Sequence, residues 1–494
     1  MAQSISSRYD KSLAQLRQAL RAEHNDDLIV RSFSALGQKS ALIFLDGMVS
    51  AELLGRLALM PLERAQGSLT GEKLYTAACD TLLSAIEIRD ETDVEKAAAA
   101  VMQGQTVLLM DSVSRVIILD LRQYVHRGVS TPRTESVVVG PHEAFTESLR
   151  DNLTMLHRIL QTPMLSVQSA DVGTQIPTQA AVLWLDGVAP QQSVERVLKR
   201  LKDCRATHIL PGGMLEQLLE DDPMAPLPQM ATTERPDRAA SFLLEGQVLV
   251  LCDGAPQVMA MPINLLHLFH APDDTAMRWQ YGTFMRLVRL FGAVMALVLP
   301  ALFVALCMYH TGLLPMALLV TVMESESSLP LGLLAECFVM LVLFNLINEA
   351  GQRVPGLMGS SLGLVSALIL GSAAVDAQLV SPLLIIIVAL GGLGSYAIPD
   401  YSVSMVFRIL QLALVLLAGL AGLTGVMLGL MLLTCWVAGM RSLGSPFLAP
   451  LSPARACNPD IVLRSPIYRQ RLNTYLSNPS TMTRLKGRMR GGRK

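Results

Sequence analysis

Charge is rare between residues 290 and 440 of this 494-residue chain, and hydrophobic residues make up 51% of the whole. That scarcity excludes an ordinary soluble enzyme and places part of the chain in lipid. Before about Trp279 charged residues are frequent, so a soluble half precedes a membrane half. The seven cysteines (Cys79, Cys204, Cys252, Cys307, Cys337, Cys435 and Cys457) include no C-x-x-C pair and no histidine at zinc spacing. They read as reduced structural thiols, and neither metal nor cofactor is expected. The N-terminal stretch MAQSISSRYDKSLAQLRQALRAEHNDDL has no apolar core of the kind a secretory signal needs, so the first half is expected in the cytosol. His142 and Glu143 in GPHEAFTES open like a zinc helix, but the second histidine is missing. No Ser/His/Asp or Cys/His arrangement emerges from the spacing, and no enzyme is expected.

The soluble half is written twice. SALIFLDGMV, from Ser40, is rich in branched apolar residues and closes on Asp-Gly, as a buried strand ending in a tight turn does. AAVLWLDGVA, from Ala180, repeats it. GQTVLLMDSVSRVIILDL, from Gly104, is matched by GQVLVLCDGAPQVMAMP, from Gly246, each a strand, an Asp-led turn and a second strand at hairpin spacing. The repeats keep their order and nearly their offset, which predicts two copies of one α/β module. VERVLKRLKDC places Val194, Val197, Leu198 and Leu201 on one helical face, and AELLGRLALMPLERA occupies the corresponding place in the first copy. A small sheet covered by helices follows for each, with a cleft between them suited to a ligand or partner. Asp46 and Asp186 are matched carboxylates at strand ends, read as turn residues whose side chains bond nearby amides.

Spans expected in the membrane half cover residues 290–309, 331–347, 357–375 and 379–398, followed by an uncharged run from 409 to 440. The shorter piece at 313–323, bounded by Pro315, Glu324 and Glu326, reads as re-entrant or interfacial. Arg278, Arg286 and Arg289 precede the first span and hold its start in the cytosol. The segment from Arg441 to Lys494 carries eleven Lys or Arg against one acid, Asp460, and should share that side. Run 409–440 is then expected to be a helical hairpin broken near Gly419, Gly422 or Gly425, giving an even number of crossings. The rival is one tilted helix compensated by a full crossing at 313–323. Domain limits follow: 1–27 extension, 28–160 and 161–272 cytosolic modules, 280–440 membrane domain, 441–494 basic cytosolic tail. The fold class is an α/β soluble domain of two duplicated modules followed by an all-α polytopic membrane domain.

NEAGQRVPG, from Asn348, reads as a short cytosolic loop in which Glu349 and Arg353 pair at a helix end stopped by Gly351 and Pro355. Glu336, Asn345, Asn348 and Asp376 are the polar residues at or near membrane depth and the candidates for an ion path. Small residues at spacing four, Gly359 with Gly363 and Gly425 with Gly429, allow close helix approach. GGLG at Gly391 lies in a lipid segment and is no dinucleotide loop.

VRSFSALGQKSALIFLDGMV, ESVVVGPHEAFTESLRDNL, EGQVLVLCDGAPQVMAMP, LPALFVAL, EAGQRVPGLMG and SPFLAPLSP, in this order, resemble the A-subunit family of bacterial spore-germination receptors, the GerA family. The likeness runs from about Leu28 to Tyr468. It implies a spore inner-membrane protein with a two-part cytosolic domain, working with separate B and C subunits, oligomerising and helping to release ions when nutrients are sensed. It implies no nucleic-acid partner. A SpoVAF-type accessory protein of the same family is the alternative, and a secondary transporter the competitor from another class. Where many members carry further charges between Glu336 and the EAG motif, this chain has Leu341, Asn345 and Asn348.

Overall fold

The computed structural model describes residues 3–85, 87–123, 139–210, 212–327, 329–353 and 371–454, together with Pro132, Glu135, Val137, residues 460–461 and 463–466, and Gln470. The expected span at 357–375 falls largely outside them, as do Gly359, Gly363, Cys457, the Arg353 side chain and most of the basic tail.

The soluble half contains two five-stranded antiparallel sheets. Strands β1 (Leu28–Ala35), β2 (Gln38–Leu45), β3 (Ile88–Glu91), β4 (Thr106–Met110) and β5 (Val116–Leu119) are ordered β1-β2-β4-β5-β3. Strands β6 (Leu165–Val172), β7 (Thr178–Leu185), β8 (Ala231–Thr233), β9 (Val248–Cys252) and β10 (Val258–Met261) are ordered β6-β7-β9-β10-β8, the same topology shifted by five. The duplication read from two pairs of peptides is therefore a duplication of the whole sheet. Ala35 pairs with Gln38 across a two-residue turn in which Leu36 and Gly37 both take positive φ, the geometry that matches strand twist in a tight hairpin. Gly47 and Gly187, the glycines of the two Asp-Gly pairs, hold φ of 79° and 80°.

Each sheet is covered on both faces, because alternate residues of a strand point to opposite sides. Ala41, Ile43, Leu45, Val107 and Leu109 face helices α1 (Tyr9–Ala19) and α2 (Val94–Met102). Leu42, Leu108, Ile117 and Leu119 face the helical stretch containing Leu54, Ala58 and Leu62. Helix α1 fills the first core with Tyr9 and Leu16, and Ile5 and Leu20 on either side of it join them. In the second module, Val182, Trp184 and Val250 pack on α4 (Gln191–Lys202) through Val194, Val197 and Leu201, with α5 (Gly213–Leu219) adding Leu215. The opposite face carries Val167, Leu183 and Leu251 against α3 (Leu149–Ile159) and α6 (Pro236–Leu244). By packing, α3 thus belongs to the second module, although it precedes the expected limit at residue 160.

The membrane half is helical: α7 (Trp279–Tyr309), α8 (Met316–Ser327), α9 (Leu333–Arg353), α10 (Pro382–Tyr396) and α11 (Tyr401–Gly439). Three of them, α7, α9 and α11, are long and apolar enough to cross a bilayer. The 39 residues of α11 are two arms joined at Gly422, whose φ of 59° and ψ of −140° break the helix. Beyond the break, a Cβ on Gly429 would lie 2.9 Å from Leu414 and 3.0 Å from Leu417, so the second arm runs back along the first. That is the expected hairpin, turned at the middle one of its three candidate glycines. Val403 and Val406 of the outgoing arm and Val437 and Met440 of the returning one enter a single core with the second module. Phe447 of SPFLAPLSP, fully buried, joins that core, and its carbonyl accepts from the Leu265 amide at 2.9 Å.

Two local expectations are corrected. α9 continues through Gly351 to Arg353, so NEAGQR is the last part of a helix and not a loop; glycine lowers helical propensity without forbidding a helix. Asp46 and Asp186 do not turn onto nearby amides: Asp46 takes Arg150, with Nε at 2.9 Å, and Asp186 takes Arg21. A guanidinium offers a charge-assisted bond that a local amide cannot match.

Candidate functional site

Contacts between the two modules gather on the strand ends that carry these aspartates. Arg150 of α3 reaches Asp46, the Ser169 amide donates to Asp26 Oδ2 at 2.8 Å, and His157 Nε2 lies 3.3 Å from Asp27 Oδ2. The Asp26 amide donates to the Val167 carbonyl at 3.0 Å, so backbone also crosses between the sheets. A cavity of about 430 Å³ opens here, lined by Asp26, Asp27, Asp46, Arg150 and Asp253, in the cleft expected between the copies. Each of these carboxylates already accepts a bond: Asp253 takes the Leu149 amide at 3.1 Å. Among the described residues no cluster of His, Cys, Asp or Glu has metal-binding geometry.

Where the second module meets the membrane half, Arg286 and Arg289 lie inside α7, not ahead of it, and both are buried. Their common partner is Asp274, with Arg289 Nη1 at 2.7 Å and Arg286 Nε at 3.2 Å. These arginines are therefore internal ion-pair members instead of free charges in the headgroup layer. Burial pushes the nearby His270 imidazole well below its ordinary value, and the positive charge of Arg286 adds to the effect. His270 Nε2 donates to the Ile461 carbonyl at 2.7 Å.

Within the membrane half, polar side chains form two stations. At one end of α9, Glu336 is fully buried in the first turn; Oε1 accepts from the Ser381 amide at the head of α10, while Oε2 has no partner among the described residues. Toward the other end of α9, Asn348 Oδ1 accepts from the Tyr396 hydroxyl. Arg408 stacks over the Tyr396 ring at 5.4 Å and its Nε donates to Ser395 Oγ at 3.4 Å. Buried Gln411 lies one turn further along, with Nε2 unpartnered among the described residues. Glu336 and Asn348 are about 18 Å apart along the axis at 1.5 Å per residue.

Of the candidates from sequence, Asn345 is half-buried and nine residues from Glu336, half a turn out of phase, so the two face opposite sides of α9. Asn345 and Asn348 share a side. Asp376 is exposed at the end of the helix preceding α10. Glu349 lies in the last turn of α9, and the Arg353 side chain is outside the described residues. Arg408, Gln411 and Tyr396 were missed as members of the polar set. The signal was available: Arg408 and Gln411 are three apart in an apolar run, hence on one helical face.

Close helix packing holds these stations. Gly292 of α7 faces Gly394 of α10, and a Cβ on Gly394 would stand against the Gly292 carbonyl and 3.0 Å from the Ala296 amide nitrogen. The GGLG motif is accordingly a helix contact, as small residues in lipid often are.

Comparison with known proteins adds a family. The model of the Bacillus/Clostridium GerA spore germination protein matches residues 14–474. The uncharacterized membrane protein YfkQ of Bacillus subtilis (strain 168) is 32% identical over 470 residues, covering 95% of this chain and 90% of that protein. Spore germination protein GerLA of Bacillus cereus is 30% identical over 431 residues, 87% of each chain. The crystal structure of the N-terminal domain of the A subunit of the Bacillus megaterium spore germinant receptor GerK3 aligns with 53% of this chain and 97% of that domain, at 23% identity and a TM-score of 0.39.

Proposed function

This chain belongs to the Bacillus/Clostridium GerA spore germination protein family, and from that premise we propose that it is the A-type subunit of a germinant receptor, assembling with B and C subunits and with further copies of itself. It is a membrane protein. The proposal places it in the spore inner membrane, with both α/β modules and the segment after Arg441 in the cytosol. The observation that carries this reading is the family match running unbroken from the first module through the membrane helices.

In this reading the helices line an ion path. Glu336, Asn345, Asn348 and Asp376 remain its candidates, joined by Arg408 and Tyr396. Glu349 and Arg353 mark the cytosolic end of α9. A buried carboxyl with one unpartnered oxygen is costly in lipid and is retained where it serves transport. Its supporting geometry is the Ser381 amide at the head of α10, which orients the carboxyl.

The test is reconstitution in liposomes with the B and C subunits, recording ion efflux when germinant is added. Flux that needs no counter-substrate is expected; saturable counterflow of one solute would instead assign a transporter. Glu336→Gln is expected to change efflux while leaving assembly intact. Unaltered efflux kinetics in that variant would remove Glu336 from the path.

A further inference from the structure

Arg408 is only 7% exposed and lies about 10 Å into α11, at 1.5 Å per residue from Tyr401. Among the described residues its contacts are neutral. Nε donates to Ser395 Oγ at 3.4 Å, the Tyr396 ring lies 5.4 Å from the guanidinium, and the Tyr396 hydroxyl is the remaining acceptor. Arg286 and Arg289, equally buried, share Asp274; Arg408 has no such counter-ion among the described residues. The acids closest along the chain serve elsewhere. Asp400, about 12 Å back along the helix, caps α11 by accepting the Val403 amide at 3.1 Å, and Glu349 of α9 has a partner of its own.

The amides of this station are short of acceptors as well. Asn348 Nδ2 and Gln411 Nε2 are buried without a partner among the described residues, and Gln411 as a whole is 5% exposed. The hydroxyls nearby are spent on acceptors already present: Tyr396 on Asn348 Oδ1, Ser395 on the Gly392 carbonyl at 2.8 Å, and Ser404 on the Ser395 carbonyl at 2.9 Å. Ser404, Arg408 and Gln411 recur at spacing four and three and share one face of α11, the face that meets α10. Gly391 of α10 leaves room for the Gln411 amide, because a Cβ there would lie 3.0 Å from Nε2.

α9, α10 and α11 therefore bring together N–H groups, one set of them cationic, in excess of the acceptors that receive them. A buried cation is expensive unless a negative charge completes it. Ionisable side chains at membrane depth mark ion or substrate sites, and arginine is the residue that suits an anion. What this station lacks is a small group with one negative charge and several lone pairs. A dianion would bring a second charge with no second cation to meet it.

We propose that the station binds a small monovalent anion, a halide or the carboxylate of a small organic acid, with Arg408 as the charged donor and the Asn348 and Gln411 amides beside it. The binding itself does not depend on conduction. In the ion path proposed above it is the station that takes anions, and that role alone rests on that reading.

The experiment uses the full chain in uncharged detergent at constant ionic strength, in two arms. Chlorine-35 line broadening is followed as chloride is titrated, and saturation transfer to the methyl protons is followed as acetate is titrated. A saturable response in either arm is expected, and the arm that responds identifies the source. Arg408→Gln should weaken the binding about tenfold or more, the worth of a charge-assisted bond. Gln411→Leu should weaken it less, and replacing the exposed Arg441 just past α11 by Gln should leave it unchanged. Absence of a saturable response to both anions in the wild-type chain overturns the site, whether or not the variants fold. Equal binding by folded Arg408→Gln overturns it too. Because binding is read at equilibrium in detergent, its failure is distinct from a failure of efflux in liposomes.

Discussion

Asp274 stands between Arg286 and Arg289 at the foot of the first membrane helix, and all three are buried. Removing one member of a buried ionic group strands the others, at a cost of about 3–5 kcal/mol. Asp274→Asn is therefore expected to lower the detergent unfolding temperature strongly, and adding Arg289→Met should recover part of the loss; no recovery would mean that Asp274 acts otherwise than as a counter-ion. Glu216 provides a pH signature at the same scale. Burial first, then the charges of Glu220 and Asp400, raise its carboxyl from 4.5 to about 7. The folded state thus favours the neutral form, so its contribution is fully present below the ordinary carboxylate value and fades as pH rises through about 7. Hydrogen exchange over residues 213–219 should accelerate between pH 5.5 and 8 beyond the intrinsic rate change, and Glu216→Gln should remove the excess. Such residue-level facts were barely legible beforehand. Arg286 and Arg289 looked like free interfacial charges because their partner lies on another element.

At the scale of elements, the hairpin in α11 turns on one residue. Gly422 holds a left-handed φ of 59°, and a Cβ there would stand 3.0 Å from the Tyr309 side chain. Gly422→Ala should cost about 1–2 kcal/mol for the backbone alone, with a further penalty from Tyr309, whose hydroxyl donates to the Gly419 carbonyl at 2.7 Å. A drop in unfolding temperature checks this; an unchanged value would place the turn elsewhere. The hairpin was legible from the length of an uncharged run and the side required of its tail, both of which are one-dimensional. Helix phase was equally available along α9, where nine residues set Glu336 half a turn from Asn345. Strands β1, β3 and β6 were not foreseen, because their half-exposed sequences carry a weaker period than the buried β2 and β7, and β8 because three residues are too few to show a period.

For the whole molecule, both arms of α11 return to the core of the second module, so the ends of the membrane domain meet on one face. Single-cysteine reporters at Asp46 and Ser445 should react with an impermeant label from the same side of the bilayer; labelling from opposite sides would overturn the even number of crossings. The two modules are joined by the Arg150 to Asp46 pair, exposed enough that a double-mutant cycle should return only about 0.2–1 kcal/mol, and a larger coupling would mark it as a structural hinge point. By itself the sequence determined what periodicity and composition can carry: two copies of one sheet-and-helix module, a lipid-embedded second half, and a hairpin ahead of the basic tail. Tertiary structure alone decided the partners, giving Arg150 to Asp46, Arg21 to Asp186, Asp274 to two arginines and Ser381 to Glu336. The physical reason is range. Burial period is a property of neighbouring residues, whereas a buried charge is satisfied by whichever group folding brings within about 3 Å.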